Sequence, residues 1–295
     1  MIVSIDVPRL NDSHEDFDTL FDFWHKVTHS EKSDVLFTFE QCSFLQQNAV
    51  AFLGGLARLA QYQGRKVIIR KATIRQNVKD HLIRNEFLCT LLDESKPEKK
   101  ANTIPYHEDR RGDKRSYIKY LQESWLQSGW TGQISKELKE LITQFVIEAY
   151  VNVFEHARSP VGVITCGQRF PNLDQLKLAL VDFGVSIPAN VRKHLSKPEM
   201  PAGEAIDWAF ARGRTTKTST MTGGLGLDNL KGFIAENGGN LLVYSGNGYA
   251  SVKNGSFMTE TRPTGFIGTL VQITLKTKAS YYRLPPMTES DGDLF

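Results

Sequence analysis

Glu148, Asn152 and Glu155 stand four and then three residues apart in a stretch whose apolar residues recur at helical spacing: Ile142, Val146, Ala149, Tyr150 and Val153. They therefore share the side of a helix opposite its buried face. A Glu and an Asn one turn apart can supply a carboxylate base and an oxygen ligand for a hard metal ion at one site. Polar residues on an outer helix face are also commonly just solvated. The second candidate is Val181-Asp182-Phe183-Gly184-Val185-Ser186-Ile187, where an apolar strand runs straight into Asp-x-Gly. A carboxylate at a strand end can accept a proton from an exocyclic amino group, and Gly184 leaves room for a flat ring. Asp and Gly are equally ordinary turn formers.

A third stretch, Thr222-Gly223-Gly224-Leu225-Gly226-Leu227, is a glycine-rich loop opening a helix, where backbone N–H groups suit a phosphate chain. No Gly-Lys-Ser/Thr follows it and no strand immediately precedes it, so it is neither a Walker loop nor a dinucleotide fingerprint. The segment ahead of it, with Arg214, Thr216 and Lys217, is basic and hydroxyl-rich. It reads as a mobile lid donating to phosphates, or as a plain surface loop. Gly268-Thr269, entering a late strand, carries little meaning by itself.

Alternating strands and helices precede these motifs. Strands are expected at 1–7, 34–39 and 66–70, and helices at 13–28, 44–62 and 74–92. Ser13 is placed to cap the first helix, and the pattern favours a small α/β layer domain. Residues 95–116 are heavily charged, hold two prolines and lack an apolar period, so they read as a linker or surface loop. Helices are then expected at 117–130, 133–157 and 225–236, and strands at 161–169, 175–182, 240–245 and 268–275. The division this gives is 1–95, a linker with a helix at 96–132, a second domain at 133–276 and a polar tail at 277–295.

The chain has 295 residues, 40% hydrophobic and 23% charged, which is the ordinary globular range. No apolar run is long enough to span a bilayer, and the N-terminus lacks signal-peptide character, so a cytoplasmic protein without membrane contact is expected. With 36 Lys and Arg against 33 Asp and Glu, the charge is too balanced to indicate nucleic acid as the main partner. Cys42, Cys89 and Cys166 form no Cys-x-x-Cys pair and read as buried apolar side chains rather than zinc ligands.

Taken together, the order and spacing of the four motifs resemble the GHKL ATPases. Glu148-x-x-x-Asn152 with His156-Ala157 is similar to their N box, Asp182-Phe183-Gly184-Val185-Ser186-Ile187 to the first glycine motif, Gly224-Leu225-Gly226-Leu227 to the second, and Gly268-Thr269 to the terminal Gly-Thr box. The resemblance spans about 133–275. It implies a Bergerat-type sandwich of a mixed sheet and helices that binds ATP and Mg²⁺. Glu148 would position or deprotonate the attacking water or acceptor hydroxyl, and Asn152 would bind the metal. Asp182 would accept from the adenine amino group, with Gly184 and Ile187 beside the ring and Thr269 helping to hold Asp182. Gly223, Gly224, Leu225, Gly226 and Leu227 would line the phosphates under a lid carrying Arg214, Thr216 and Lys217. Ser186 departs from the family's second glycine and is expected to stiffen a lid hinge; Thr222 replaces another glycine.

More loosely, residues 33–70 look like the STAS-type fold of anti-sigma-factor antagonists, a module that binds partners. The fold class expected is thus α/β (α+β), a STAS-like layer domain followed by the ATP-binding domain. A sensor histidine kinase would need His-Glu-x-x-x-Pro on a helical hairpin, and Asp12-Ser13-His14-Glu15 lacks the proline. The 20 residues after Leu275 are too few for the transducer domain of a topoisomerase, MutL protein or chaperone. What remains is an ATP-driven switch, hydrolysing slowly and acting on a protein partner in signalling or defence. The alternatives are an anti-sigma-type Ser/Thr kinase with a STAS-like partner, and a nucleotide-binding scaffold without turnover. A homodimer is left open.

Overall fold

The computed structural model describes residues 2–30, 33–96, 103–127, 129–130, 134–211 and 226–278. It is a mixed α and β structure with one parallel and one antiparallel sheet.

The N-terminal part alternates strongly because each strand must be followed by a crossover before a parallel partner can form. Strands β1 (Ile2–Asp6), β2 (Asp34–Thr38) and β3 (Val67–Ile69) pair in parallel in the order β1-β2-β3. The crossovers are α1 (His14–His29) and α2 (Gln47–Tyr62). Ser13 caps α1: its Oγ accepts from the Asp16 amide, and the Asp16 carboxylate accepts from the Ser13 amide at 3.0 Å. This reciprocal cap accounts for the Ser-His-Glu fragment. Helix α2 is buried almost all round, as a helix lying between two sheets must be.

The helix expected over 74–92 is two helices, α3 (Gln76–Arg84) and α4 (Phe87–Leu92). The break falls where the Asn85 carbonyl turns out to accept the Tyr106 amide at 2.7 Å, with Glu86 left at φ 66°. Tyr106 belongs to β4 (Thr103–Asp109), which corrects the reading of 95–116 as linker. Its charges have partners that composition does not show. Glu108 receives Arg58 Nε at 2.8 Å, and Asp109 receives the amides of Arg111, Gly112 and Asp113 and the Tyr150 hydroxyl. Burial works to raise the Asp109 carboxyl's pKa, but those bonds outweigh it and leave the pKa below its ordinary range.

Strand β4 is the edge of the second sheet, and edges tolerate a proline such as Pro105. After it come α5 (Lys114–Tyr120), a π-helical turn at Leu121–Trp125, and α6 (Lys136–Asn152), which runs into a second π-helical turn at Val153–Ala157. Strands β5 (Val163–Phe170) and β6 (Gln175–Asp182) follow, then α7 (Ile187–Leu195), α8 (Ala202–Phe210) and α9 (Gly226–Asn237). A long hairpin of β7 (Asn240–Lys253) and β8 (Ser256–Lys276) ends the described fold. The sheet order is β4-β5-β6-β8-β7, and every pairing is antiparallel. The mixed sheet expected here is therefore corrected. β5–β6 and β7–β8 are joined by turns too short for a parallel crossover.

Both faces of this sheet are covered. Leu176, Leu178, Leu180, Val243, Val271 and Ile273 share a core with α6 and α9. Ala179, Val181, Phe183, Tyr244, Phe266 and Leu270 share another with α1 and α2. The order of layers is parallel sheet, α1 and α2, antiparallel sheet, α6 and α9.

Candidate functional site

Period-two alternation along β6 sends Leu176, Leu178 and Leu180 toward α6 and α9 and Val181 toward α2, so Asp182 falls on the α6 side. Only 3% of Asp182 is exposed. Its partner across the sheet is Thr269 of β8. Oδ1 of Asp182 accepts the Gly184 amide at 2.8 Å, and the Thr269 side chain bonds the same carboxyl. Burial pushes the acid up to about 7 against these two bonds.

Ser245 extends the network. Its Oγ lies 2.8 Å from Thr269 Oγ1 and 3.1 Å from the Gly268 carbonyl, and it accepts the Ile187 amide at 2.8 Å. Donation from the Thr269 hydroxyl favours the charged form of Asp182, so this bond and burial pull the carboxyl in opposite directions. No motif marked Ser245, which lies inside β7 just before the register shift at Gly246.

The turn after Asp182 rests on the stretch that follows α6. The Val185 amide donates to the Ala157 carbonyl at 2.7 Å, the Phe183 amide to Ser159 Oγ at 3.2 Å, and Asn190 Nδ2 to the His156 carbonyl at 3.2 Å. A Cβ on Gly184 would collide with that Ala157 carbonyl. Backbone packing therefore demands this glycine, a reason separate from any ring laid beside it. Gly268 sits at φ 142° with its open side against the Asp182 carbonyl. Ser186, expected to stiffen a lid hinge, is extended at φ −68° and caps α7, accepting the Ala189 amide at 3.4 Å. No left-handed conformation is required there, so glycine has no advantage.

Glu148 is exposed on α6, and Asn152 is half-buried at its C-terminal end, immediately before the π-helical turn. Such turns are frequent at functional sites. The stretch that supports the Asp182 turn, His156 to Ser159, follows shortly after this end of α6. Ile187 begins α7, and Gly226 begins α9 with Leu227 packed beneath it. Arg214, Thr216, Lys217, Gly223, Gly224 and Leu225 lie outside the described residues, as does the tail from 279.

Among the described residues no three His, Cys, Asp or Glu side chains cluster to hold a metal, and the cysteines are free and buried. Nor is any described helix long and apolar enough to cross a membrane. No protein-family model matches this sequence, and no curated protein matches it either.

Proposed function

We propose that the protein binds Mg-ATP in the manner of a GHKL ATPase and acts as a nucleotide-dependent switch on a protein partner. The observation that carries this reading is the buried Asp182 carboxyl, tied across the sheet to Thr269 and seated on the chain that leaves the Glu148–Asn152 helix. A buried acid near neutrality has a use for a donor, and an adenine amino group is one. Accepting from it, Asp182 ionises, and Thr269 holds the new charge.

Asn152 has the chemistry to give one oxygen to Mg²⁺. That ion commonly takes few protein ligands and relies on phosphates and water for the rest. Bound there, the ion would neutralise phosphate charge. Glu148, exposed on the same helix, would take a proton from a water or acceptor hydroxyl. The N-terminal layer, three parallel strands with α1 and α2, supports a STAS-like partner-binding reading.

Titration calorimetry of the full chain with Mg-ATP tests the reading, and heat that vanishes in Asp182→Asn is expected. γ-Labelled ATP then separates the outcomes: free phosphate for the switch, a labelled protein for a kinase, neither for a scaffold. Absence of binding to folded wild type sinks the proposal.

A further inference from the structure

Phe183 stands between Asp182 and Gly184, and alternation turns it to the opposite face. It meets the N-terminal layer, its ring centred 5.2 Å from Phe52 of α2 and 5.6 Å from Phe266 of β8. Beneath it lies Gly55, in the middle of α2. A Cβ on Gly55 would run into the Phe183 ring and come within 3.2 Å of Ile164 Cγ1. The preceding Gly54 faces the Tyr106 ring of β4 in the same way. Glycine inside a helix is disfavoured relative to alanine. Neither residue has the positive φ that would call for it, so close approach of an aromatic ring is the reason both are there.

We propose that α2 is a positioning element for the candidate nucleotide site: Gly55 seats Phe183, Phe183 fixes the turn, and the turn aims the Asp182 carboxyl. This rests on the nucleotide reading above. A ligand or protein that shifts the N-terminal layer would thereby change how the base is read, without touching the phosphate side. Gly55 and Phe183 contact no nucleotide in this scheme and act through Asp182.

The test uses the full chain and compares ATP with GTP, because only the base differs. Gly55→Ala, which crowds Phe183, and Phe183→Leu, which leaves a void above Gly55, should each lower the ATP-to-GTP affinity ratio by about tenfold, roughly the worth of one hydrogen bond to a charged group. The double variant refills the void and should restore the ratio. Gly54→Ala, an equal insult aimed at Tyr106, should lower stability and leave the ratio alone. Equal losses for both nucleotides, or an unchanged ratio in folded Phe183→Leu, would overturn the proposal; Phe183→Leu decides alone should Gly55→Ala not fold. If the wild type binds neither nucleotide, the functional reading fails by itself. Coupling is then read from the carbon-13 titration of the Asp182 carboxyl, which should move in each single variant and return in the double. A titration unmoved in the single variants overturns the coupling.

Discussion

Asp182 and Thr269 are directly opposite each other on β6 and β8, and the one hydroxyl proton of Thr269 has two claimants, the Asp182 carboxyl and Ser245 Oγ. Donation to Asp182 favours its charged form and burial opposes it, a balance that can be measured without knowing a ligand.

The first prediction concerns stability. Burial pushes the folded-state Asp182 carboxyl up to about 7, against an ordinary value near 3.8. Stability therefore falls as pH rises through that window and levels off above it. Asp182→Asn, whose amide mimics the neutral donor, carries no such proton. Denaturant unfolding should show the variant gaining on wild type between pH 4 and pH 8, by up to roughly 4 kcal/mol. A difference independent of pH would mean the carboxyl is already ionised in the folded protein.

The same ionisation should appear in binding. An adenine amino donor favours the charged carboxylate, so adenosine affinity should rise from pH 6 to pH 8 and protons should be released on binding. Calorimetry in buffers of different ionisation enthalpy counts those protons. Adenosine is the better probe because it lacks titrating phosphates.

Glu148→Ala should leave nucleotide affinity and the unfolding midpoint close to wild type, since the side chain is exposed. Turnover should drop on the order of 10²-fold if the carboxylate serves as a base. Phosphate release at saturating Mg-ATP checks this, and undiminished turnover would assign the base elsewhere.

Arg262 of the hairpin offers a test of how the layers are joined. It bonds both oxygens of Asp18 on α1 at 3.1–3.2 Å and stands 3.1 Å from Glu260, with Thr264 also donating to Asp18. Arg262→Ala should destabilise the fold by about 2 kcal/mol. That is less than a fully buried pair would lose, because Asp18 keeps 34% of its side chain in water. Urea midpoints measure it; a loss seen only at low salt would mark the pair as a surface one.

Much of this architecture was legible from periodicity. The strand–helix alternation before residue 70 and the strand ending at Asp182 follow directly from apolar spacing. The edge strand at 103–109 did not, because its acids are matched by Arg58, Tyr150 and turn amides that lie far off in sequence. Helix α7 was hidden behind the glycine-motif reading of Ser186, although a Ser followed two residues later by Pro is a sound helix start. The hairpin strands run well beyond the expected 240–245 and 268–275. Asn254-Gly255, with φ of 51° and 76°, is the two-residue turn that pairs the flanking strands, and the sequence displays it openly. For the candidate site, type and order of residues single out Asp182 and Thr269, which pair across the sheet, but neither Ser245 nor the contact of Phe183 with α2 has a local signature.

The central place of α2 also bears on how the chain is born. During synthesis the parallel layer emerges first, and the face of α2 carrying Phe52, Gly54 and Gly55 waits for Tyr106, Ile164, Phe183 and Phe266 to leave the ribosome and cover it. Through that interval the nascent protein displays a greasy surface that a chaperone can hold, and a stalled or shortened message would leave it permanently bare.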